Sequence, residues 1–165
     1  MTDHELLIRP ALYADREGIW RALEPTIRAG EAVPLDQDTT RAAGLDDWFS
    51  PRHEVFVAEQ EGTVVGSYYL RENQAGGGAH VANSVYVVSP SATGRGIAQA
   101  MCEHSLNHAR SRGFLAMQLN FVLASEERRL KLWQRAGFKI VGTLPKAFRH
   151  PSLGLIDAFV LHRDL

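Results

Sequence analysis

Cysteine is almost missing from this chain. Cys102 stands alone among 165 residues, which excludes an internal disulfide and any multi-thiolate metal site. Long apolar runs are missing too: none approaches the roughly 20 residues needed to span a bilayer. An excess of one charge is absent, since 18 basic residues face 19 acidic ones for a net charge of −1. A balance so close to neutral leaves no electrostatic footprint for nucleic acid. Met1-Thr2-Asp3-His4-Glu5 lacks the basic start of a signal peptide. There is no internal repeat, and no low-complexity tract longer than Gly76-Gly77-Gly78. What remains is 45% hydrophobic and 22% charged, an ordinary globular composition. The expectation is a soluble cytoplasmic protein with one domain over residues 1–165.

Periodicity divides the chain into alternating elements. Leu6 to Pro10 reads as a short strand. Ala14 to Ala29 reads as a helix, with Ile19, Trp20, Leu23 and Ile27 at helical spacing, and Pro25 is expected to kink or divide it. A polar loop covers Gly30 to Thr40, and a second short helix runs from Arg41 to Phe49. Glu54–Gln60 and Thr63–Arg71 are strands around the turn signal Glu61-Gly62. A glycine-rich turn over Asn73–Ala79 precedes a fourth strand, Val81–Val88. A helix follows from about Gly94 to Arg112, whose small and apolar stripe is Ala98, Met101, Cys102, Ser105, Leu106 and Ala109. Gly113 is placed to stop it. Phe114–Leu123 is a strand, Glu126–Ala136 a helix, and Phe138–Leu144 and Ile156–Leu161 the last strands. The order β-α-α-β-β-β-α-β-α-β-β predicts a mixed α/β sheet with at least one strand-helix-strand crossover.

Chemistry concentrates at Val85-Tyr86-Val87-Val88-Ser89-Pro90-Ser91-Ala92-Thr93-Gly94-Arg95-Gly96-Ile97-Ala98. A strand ends there and two glycines stand where a long helix begins. The first turn of a helix leaves N–H groups unpaired and carries partial positive charge, so the segment is suited to cradling a phosphorylated ligand. A Gly-x-Gly pair is weak by itself and also fits an ordinary helix entry. The P-loop pattern is absent. The dinucleotide fingerprint fails because Gln99 stands at the third small position and no Asp or Glu occurs between His104 and Ser125.

Gly94-Arg95-Gly96-Ile97-Ala98, following Val-Val-Ser-Pro, resembles the pyrophosphate loop of the GNAT superfamily of acetyl-CoA-dependent N-acetyltransferases. Ala109 to Phe114 is similar to the end of the family's central helix. Leu132-Trp133-Gln134-Arg135-Ala136-Gly137-Phe138 resembles its closing Leu-Tyr-x-x-x-Gly-Phe signature. The three signals occur in family order, and the resemblance spans roughly Leu6 to Leu161. His80 to Asn83, Gln118 to Phe121 and Gly142 to Pro145 resemble one branch, which includes a yeast acetyltransferase of the proline analogue azetidine-2-carboxylate.

The resemblance implies fourth and fifth strands that splay apart. Pantetheine would lie in the gap against the backbone of Tyr86, Val87 and Val88, with the pyrophosphate on the amides of Thr93, Gly94, Arg95, Gly96, Ile97 and Ala98. Glu126 and Trp133 would also border the acetyl-CoA cosubstrate, and no metal is implied. Three positions depart from the family pattern. Ser91 stands where Gln or Arg is preferred, with Arg95 a possible substitute for the charge. Glu126 replaces an Asn. Trp133 replaces the Tyr proposed as general acid, and an indole N–H is no useful proton source.

The fourth-strand carboxylate base is also missing, because no Asp or Glu occurs between Asn73 and Gln99. An α-amino group, of pKa near 8, is roughly a tenth neutral at pH 7, whereas lysine is well under a hundredth neutral. This favours a small α-amine or amino acid as acceptor. His80 is the nearest ionisable alternative, or simply a turn histidine. Asn83 and Asn120 are the candidate catalytic residues: Asn suits strand interiors poorly, yet both lie in the strands expected to splay. Their amides would hold a substrate carboxylate or carbonyl, or else satisfy nearby backbone.

Other features have plainer readings. His104 and His108 suit a solvated helix face better than a metal site. Cys102 belongs to the core, as do Trp20, Trp48, Tyr68 and Tyr69, although these aromatics could also line a pocket. Lys131 and Arg135 continue a solvated face, and Arg129 is placed to touch the cofactor. Lys146–Leu155 reads as a basic loop near the acceptor site or a dimer contact, and the resemblance leans towards a homodimer. The leading expectation is acetyl transfer to a small-molecule amine by direct attack in a ternary complex. The alternatives are a catalytically silent acyl-CoA-binding sensor or scaffold, and peptide N-terminal acetylation in a groove between the Gly30–Thr40 and Lys146–Leu155 segments. Nucleic-acid and membrane partners are not expected.

Overall fold

A computed structural model describes residues 5–165; four of the five N-terminal residues weighed against a signal peptide lie outside them. Strand β1 (Leu6–Pro10) leads through a short 3-10 turn into α1 (Arg16–Ala29), and then come α2 (Arg41–Trp48), β2 (Glu54–Gln60), β3 (Thr63–Glu72) and β4 (Val81–Val88). The second half holds α3 (Ile97–Ser111), β5 (Ala116–Leu123), α4 (Glu127–Arg135), β6 (Lys139–His150) and β7 (Gly154–Asp164). The strands form one sheet in the order β1-β2-β3-β4-β5-β7-β6, the mixed α/β architecture expected from the element order.

Strand alternation sorts side chains between two apolar layers. Phe56, Ala58, Tyr68 and Leu70 join Ile97, Met101, Cys102, Leu106 and Trp133 on the face covered by α3 and α4. Val57, Tyr69 and Val87 point the other way, onto Ile19, Leu23 and Ile27 of α1 and Leu45 and Trp48 of α2. Burial of Cys102 pushes its thiol pKa up to about 12, so it is core. The α3 stripe is as expected except at its start, where Ile97 rather than Ala98 is fully buried.

Three expectations need correction. Helix α1 runs undivided through Pro25. The carbonyl that Pro25 cannot pair belongs to Arg21, which is exposed and can turn to water. The Lys146–Leu155 loop is instead a continuation of the β6–β7 hairpin, whose register resumes at Phe148↔Ile156 after an irregularity. Lys146 absorbs it with φ 50°, and its N–H donates to Asp157 Oδ1 at 2.9 Å. His104 and His108 do not form a solvated face. His104 is hydrogen-bonded to the Tyr68 hydroxyl at 2.6 Å, and His108 donates to Glu54 at 2.5 Å.

The first strand is fastened to the rest by a charged fork. Arg9 binds both oxygens of Asp15 at 2.8 and 2.9 Å and reaches Glu59 on β2 at 2.7 Å. The Asp15 carboxylate also caps the Leu12 N–H at 2.6 Å. The Arg9 guanidinium holds the Asp15 pKa below its ordinary 3.8. The stabilisation is therefore fully present above that ordinary value and is lost as pH falls through the lower folded value. Asp15→Asn is expected to cost about 1–3 kcal/mol at pH 7 and to approach wild-type stability in strong acid. Urea unfolding at both pH values checks this; an equal deficit at both would contradict it.

Candidate active site

The site begins where two strands part. β4 and β5 are the parallel pair, and their register covers only Val81↔Ala116, Ala82↔Met117 and Asn83↔Gln118. Beyond Asn83, β4 keeps β3 as its neighbour on one side only. The expected splay is present, and it opens after the third pair.

Asn83 sits at the fork and is 1% exposed. Its Nδ2 donates to the Gln118 carbonyl at 3.0 Å, tying β4 to β5, while its Oδ1 accepts from Arg71 Nε at 3.0 Å. Asn120, half-buried, donates to Asn73 Oδ1 at 2.7 Å and accepts from Gln118 Nε2 at 2.9 Å. The two candidate asparagines thus share one polar cluster, and each amide already has protein partners.

A cavity of about 590 Å³ opens beside this cluster. Its walls include Asn83, Asn120, Arg71, Tyr69, Trp48 and His53. Val33, Pro34 and Leu35 of the Gly30–Thr40 loop close one side, and Glu126 and Trp133 the other. The β6–β7 hairpin tip is not among the walls. Trp48 is fixed by donating its indole N–H to Ser67 Oγ at 3.0 Å, and Ser67 donates to the Phe56 carbonyl at 2.6 Å. Trp133 is buried and packs on the Tyr86 ring at 4.8 Å. The Tyr86 hydroxyl pairs with Ser105 at 2.6 Å, and burial raises its pKa well above that of a free phenol. Burial likewise raises the Glu126 pKa, against the opposing effect of Arg129.

A second cavity, of about 640 Å³, lies against the loop before α3. Val88, Thr93, Gly94, Gly96, Ile97 and Ala98 line it, as do Arg128, Arg129, Arg135 and Arg163. Gly94 and Gly96 have φ of 84° and 77°, a region that other residues enter at a cost. A Cβ on either would meet no protein atom within 4 Å, so the space beside this backbone is open. No side chain caps the start of α3. Free amides, open space and four arginines suit a polyphosphate. Arg95 does not line the cavity; it is exposed and donates to the Ser91 carbonyl at 3.2 Å. Arg129 lines both cavities and donates to the Tyr86 carbonyl at 3.2 Å, on unpaired β4. Glu126 and Trp133, expected beside the cofactor, border the first cavity instead, at its α4 end.

His53 and Arg71 had no signal in the sequence. They join the site only because the fold lays His53 on Tyr69 of β3 and Arg71 against Asn83 of β4. No group of three or more His, Cys, Asp or Glu able to hold a metal occurs among the described residues. Among them too, no helix is long and apolar enough to cross a membrane.

A forked sheet with a phosphate-ready helix start at one end of the fork and a polar cleft at the other defines an acyl-CoA-dependent transferase. Residues 16–138 match the model of the acetyltransferase (GNAT) family, and the chain belongs to that family. It is 26% identical over 151 residues to N-acetyltransferase aca1 of Schizosaccharomyces pombe, covering 81% of this chain and 72% of that protein. It is 30% identical over 113 residues to a mycothiol acetyltransferase of Propionibacterium freudenreichii, covering 68% of this chain but 36% of the relative. A GCN5-related N-acetyltransferase from Kribbella flavida superposes with a TM-score of 0.93 at 36% identity, over 97% of this chain and 98% of that one. The chain is an acetyl-CoA-dependent N-acetyltransferase.

Replacing Asn83 with Leu would strip partners from Arg71 Nε and the Gln118 carbonyl together. The expected cost is about 2 kcal/mol, or about 4–8 °C in Tm for a chain of this size. Thermal melting checks it, and an unchanged Tm would mean that Asn83 does not hold the fork.

Proposed function

We propose that the chain acetylates the amine of a small molecule that also carries a carboxylate, an amino acid or close analogue, by direct attack on acetyl-CoA in a ternary complex. The observation that carries this reading is Arg71. Its Nε is held by Asn83, so its guanidinium is oriented at the wall of the cleft. No ion pair among the described residues engages it. A guanidinium fixed in this way presents its remaining N–H groups in the fork geometry that carboxylates match. Asn83 then acts as a positioning residue for Arg71, and the spare amide capacity of Asn120 serves the acceptor or the developing oxyanion.

At the other end of the fork, the amides of Thr93 to Ala98 take the pyrophosphate and the unpaired edge of β4 from Tyr86 to Val88 takes the pantetheine. The Arg129 contact to the Tyr86 carbonyl marks an acceptor that a pantetheine amide can take over. Acetyl transfer is then mainly a matter of holding amine and thioester together.

Purified protein with acetyl-CoA should release free thiol with amino acids and markedly less with the matching decarboxylated amines. Arg71→Ala should raise KM for amino acids about tenfold or more, the loss of one oriented charge-assisted contact, and leave KM for decarboxylated amines nearly unchanged. Equal use of both amine classes by the wild type would overturn the carboxylate reading. Gly96→Val, which places a branched side chain at positive φ beside the cavity, should weaken acetyl-CoA binding by about tenfold or more, read by thermal shift.

A further inference from the structure

We propose that His53 accepts the proton that the acceptor amine must lose, so that the base comes from the turn ahead of β2 and not from β4. This deepens the small-amine reading above and rests on it.

Strand β4 offers nothing for the task. It has no carboxylate, and His80 is exposed in the turn before it, outside the cleft wall. The phenols of Tyr69 and Tyr86 in the wall are pushed up by burial, and arginines do not give up their protons. Glu126 borders the cavity beside Arg129 and Trp133 of α4, on another element from the Trp48, Tyr69 and Arg71 group that surrounds His53, and burial raises its pKa.

His53 is held in the form the step needs. Its Nδ1 lies 3.0 Å from the Trp48 carbonyl oxygen. A carbonyl can only accept, so Nδ1 carries the hydrogen and Nε2 keeps its lone pair. The ring lies flat on Tyr69, with centroids 3.8 Å apart and planes 8° from parallel, which fixes its direction. Burial and three neighbouring groups bear on its charge. Burial and Arg71 on β3 disfavour the imidazolium, while the Trp48 carbonyl and Asp47 on α2 favour it; burial is the largest effect, and the pKa falls below the ordinary 6.5. The ring is therefore a neutral base at pH 7. Arg71 also disfavours an ammonium nearby, which eases the proton's departure from the acceptor.

The step balances as follows. R–NH3⁺ gives one proton to His53 Nε2. The freed lone pair attacks the thioester carbon, the N–C bond forms and the carbonyl pair moves to oxygen. As the C–S bond breaks, that pair returns, the nitrogen loses its second proton, and the thiolate ends as thiol. His53 passes its proton to solvent. The sum is R–NH3⁺ plus acetyl-CoA giving the N-acetyl product, free CoA thiol and one H⁺.

The test is His53→Asn, whose side-chain amide can still donate to the Trp48 carbonyl but cannot take a proton, with His53→Gln as a second variant. Acetyl-CoA should stabilise both as it does the wild type. At pH 7, kcat/KM for an amino acid should fall by about 10²–10⁴. In the wild type, kcat/KM should rise with pH through a value below 6.5, and that limb should vanish in the variants. Added imidazole should restore part of the rate, and the deficit should shrink at high pH, where the amine is already neutral. Activity within about twofold of wild type, or a deficit identical at every pH with no imidazole rescue, would overturn the assignment and leave His53 a structural residue. A wild type that releases thiol with no small amine would instead bring down the acceptor reading, and this one with it.

Discussion

The site depends on one constraint: β4 and β5 are allowed only three registered pairs. Buried backbone groups must find partners, so parting two central strands is costly unless something else fills the gap. Here several groups share that work. The Asn83 amide ends the shared ladder by spanning from β4 to the Gln118 carbonyl. Arg129 reaches from α4 to cover the Tyr86 carbonyl. Trp133 packs on Tyr86, whose hydroxyl is anchored on α3 through Ser105. The cleft and the loop cavity are the two ends of this opening, and Arg129 borders both.

Desolvation in the cleft acts on both kinds of titratable group in the same direction, towards neutrality. For a carboxyl such as Glu126 that means the acid form; for an imidazole such as His53 it means the base form. The two line one cavity from different elements, the turn before β2 and the start of α4. A single physical cause, removal from water, thus shifts the pKa values of unlike groups in opposite directions. Arg71, Arg129 and Asp47 bring charge to the same wall, and Asn83 sets the direction of Arg71.

Much of the frame was legible because it is written locally. β1, β2 and β4 match their expected bounds, since alternation and turn residues sit within a few positions of each strand. The loop before α3 was legible for the same reason, as strand, turn, glycines and helix are contiguous. Asn83 and Asn120 were legible as polar residues out of place in strands, and the structure does bring them to one cleft. His53 and Arg71 were not legible. Seventeen residues separate them, and only the antiparallel pairing of β2 with β3 lays Tyr69 under the imidazole. The inner part of the β6–β7 hairpin was legible, but its outer part was missed because the stretch over Lys146–Leu155 is basic and contains Pro151, whereas the ladder resumes there after an irregularity beside Pro145 that edge strand β6 tolerates.

Of the departures from the family pattern, Glu126 and Trp133 fall on the cleft wall and Ser91 in the turn before α3, and all leave the frame alone. Ser91 supplies no charge to the loop cavity, and Arg95 does not supply it either, because it bonds the Ser91 carbonyl from outside. The positive charge arrives from the opposite wall: Arg128, Arg129 and Arg135 on α4, and Arg163 on β7. Arg163 is itself held there by its bond to the Ala136 carbonyl. A phosphate ligand responds to the field in the cavity and not to the element that provides it, so basic side chains can move from loop to helix without loss. Trp133 follows the same logic at the other end. It lacks a phenol but keeps an aromatic plane against Tyr86, which preserves the packing of the fork.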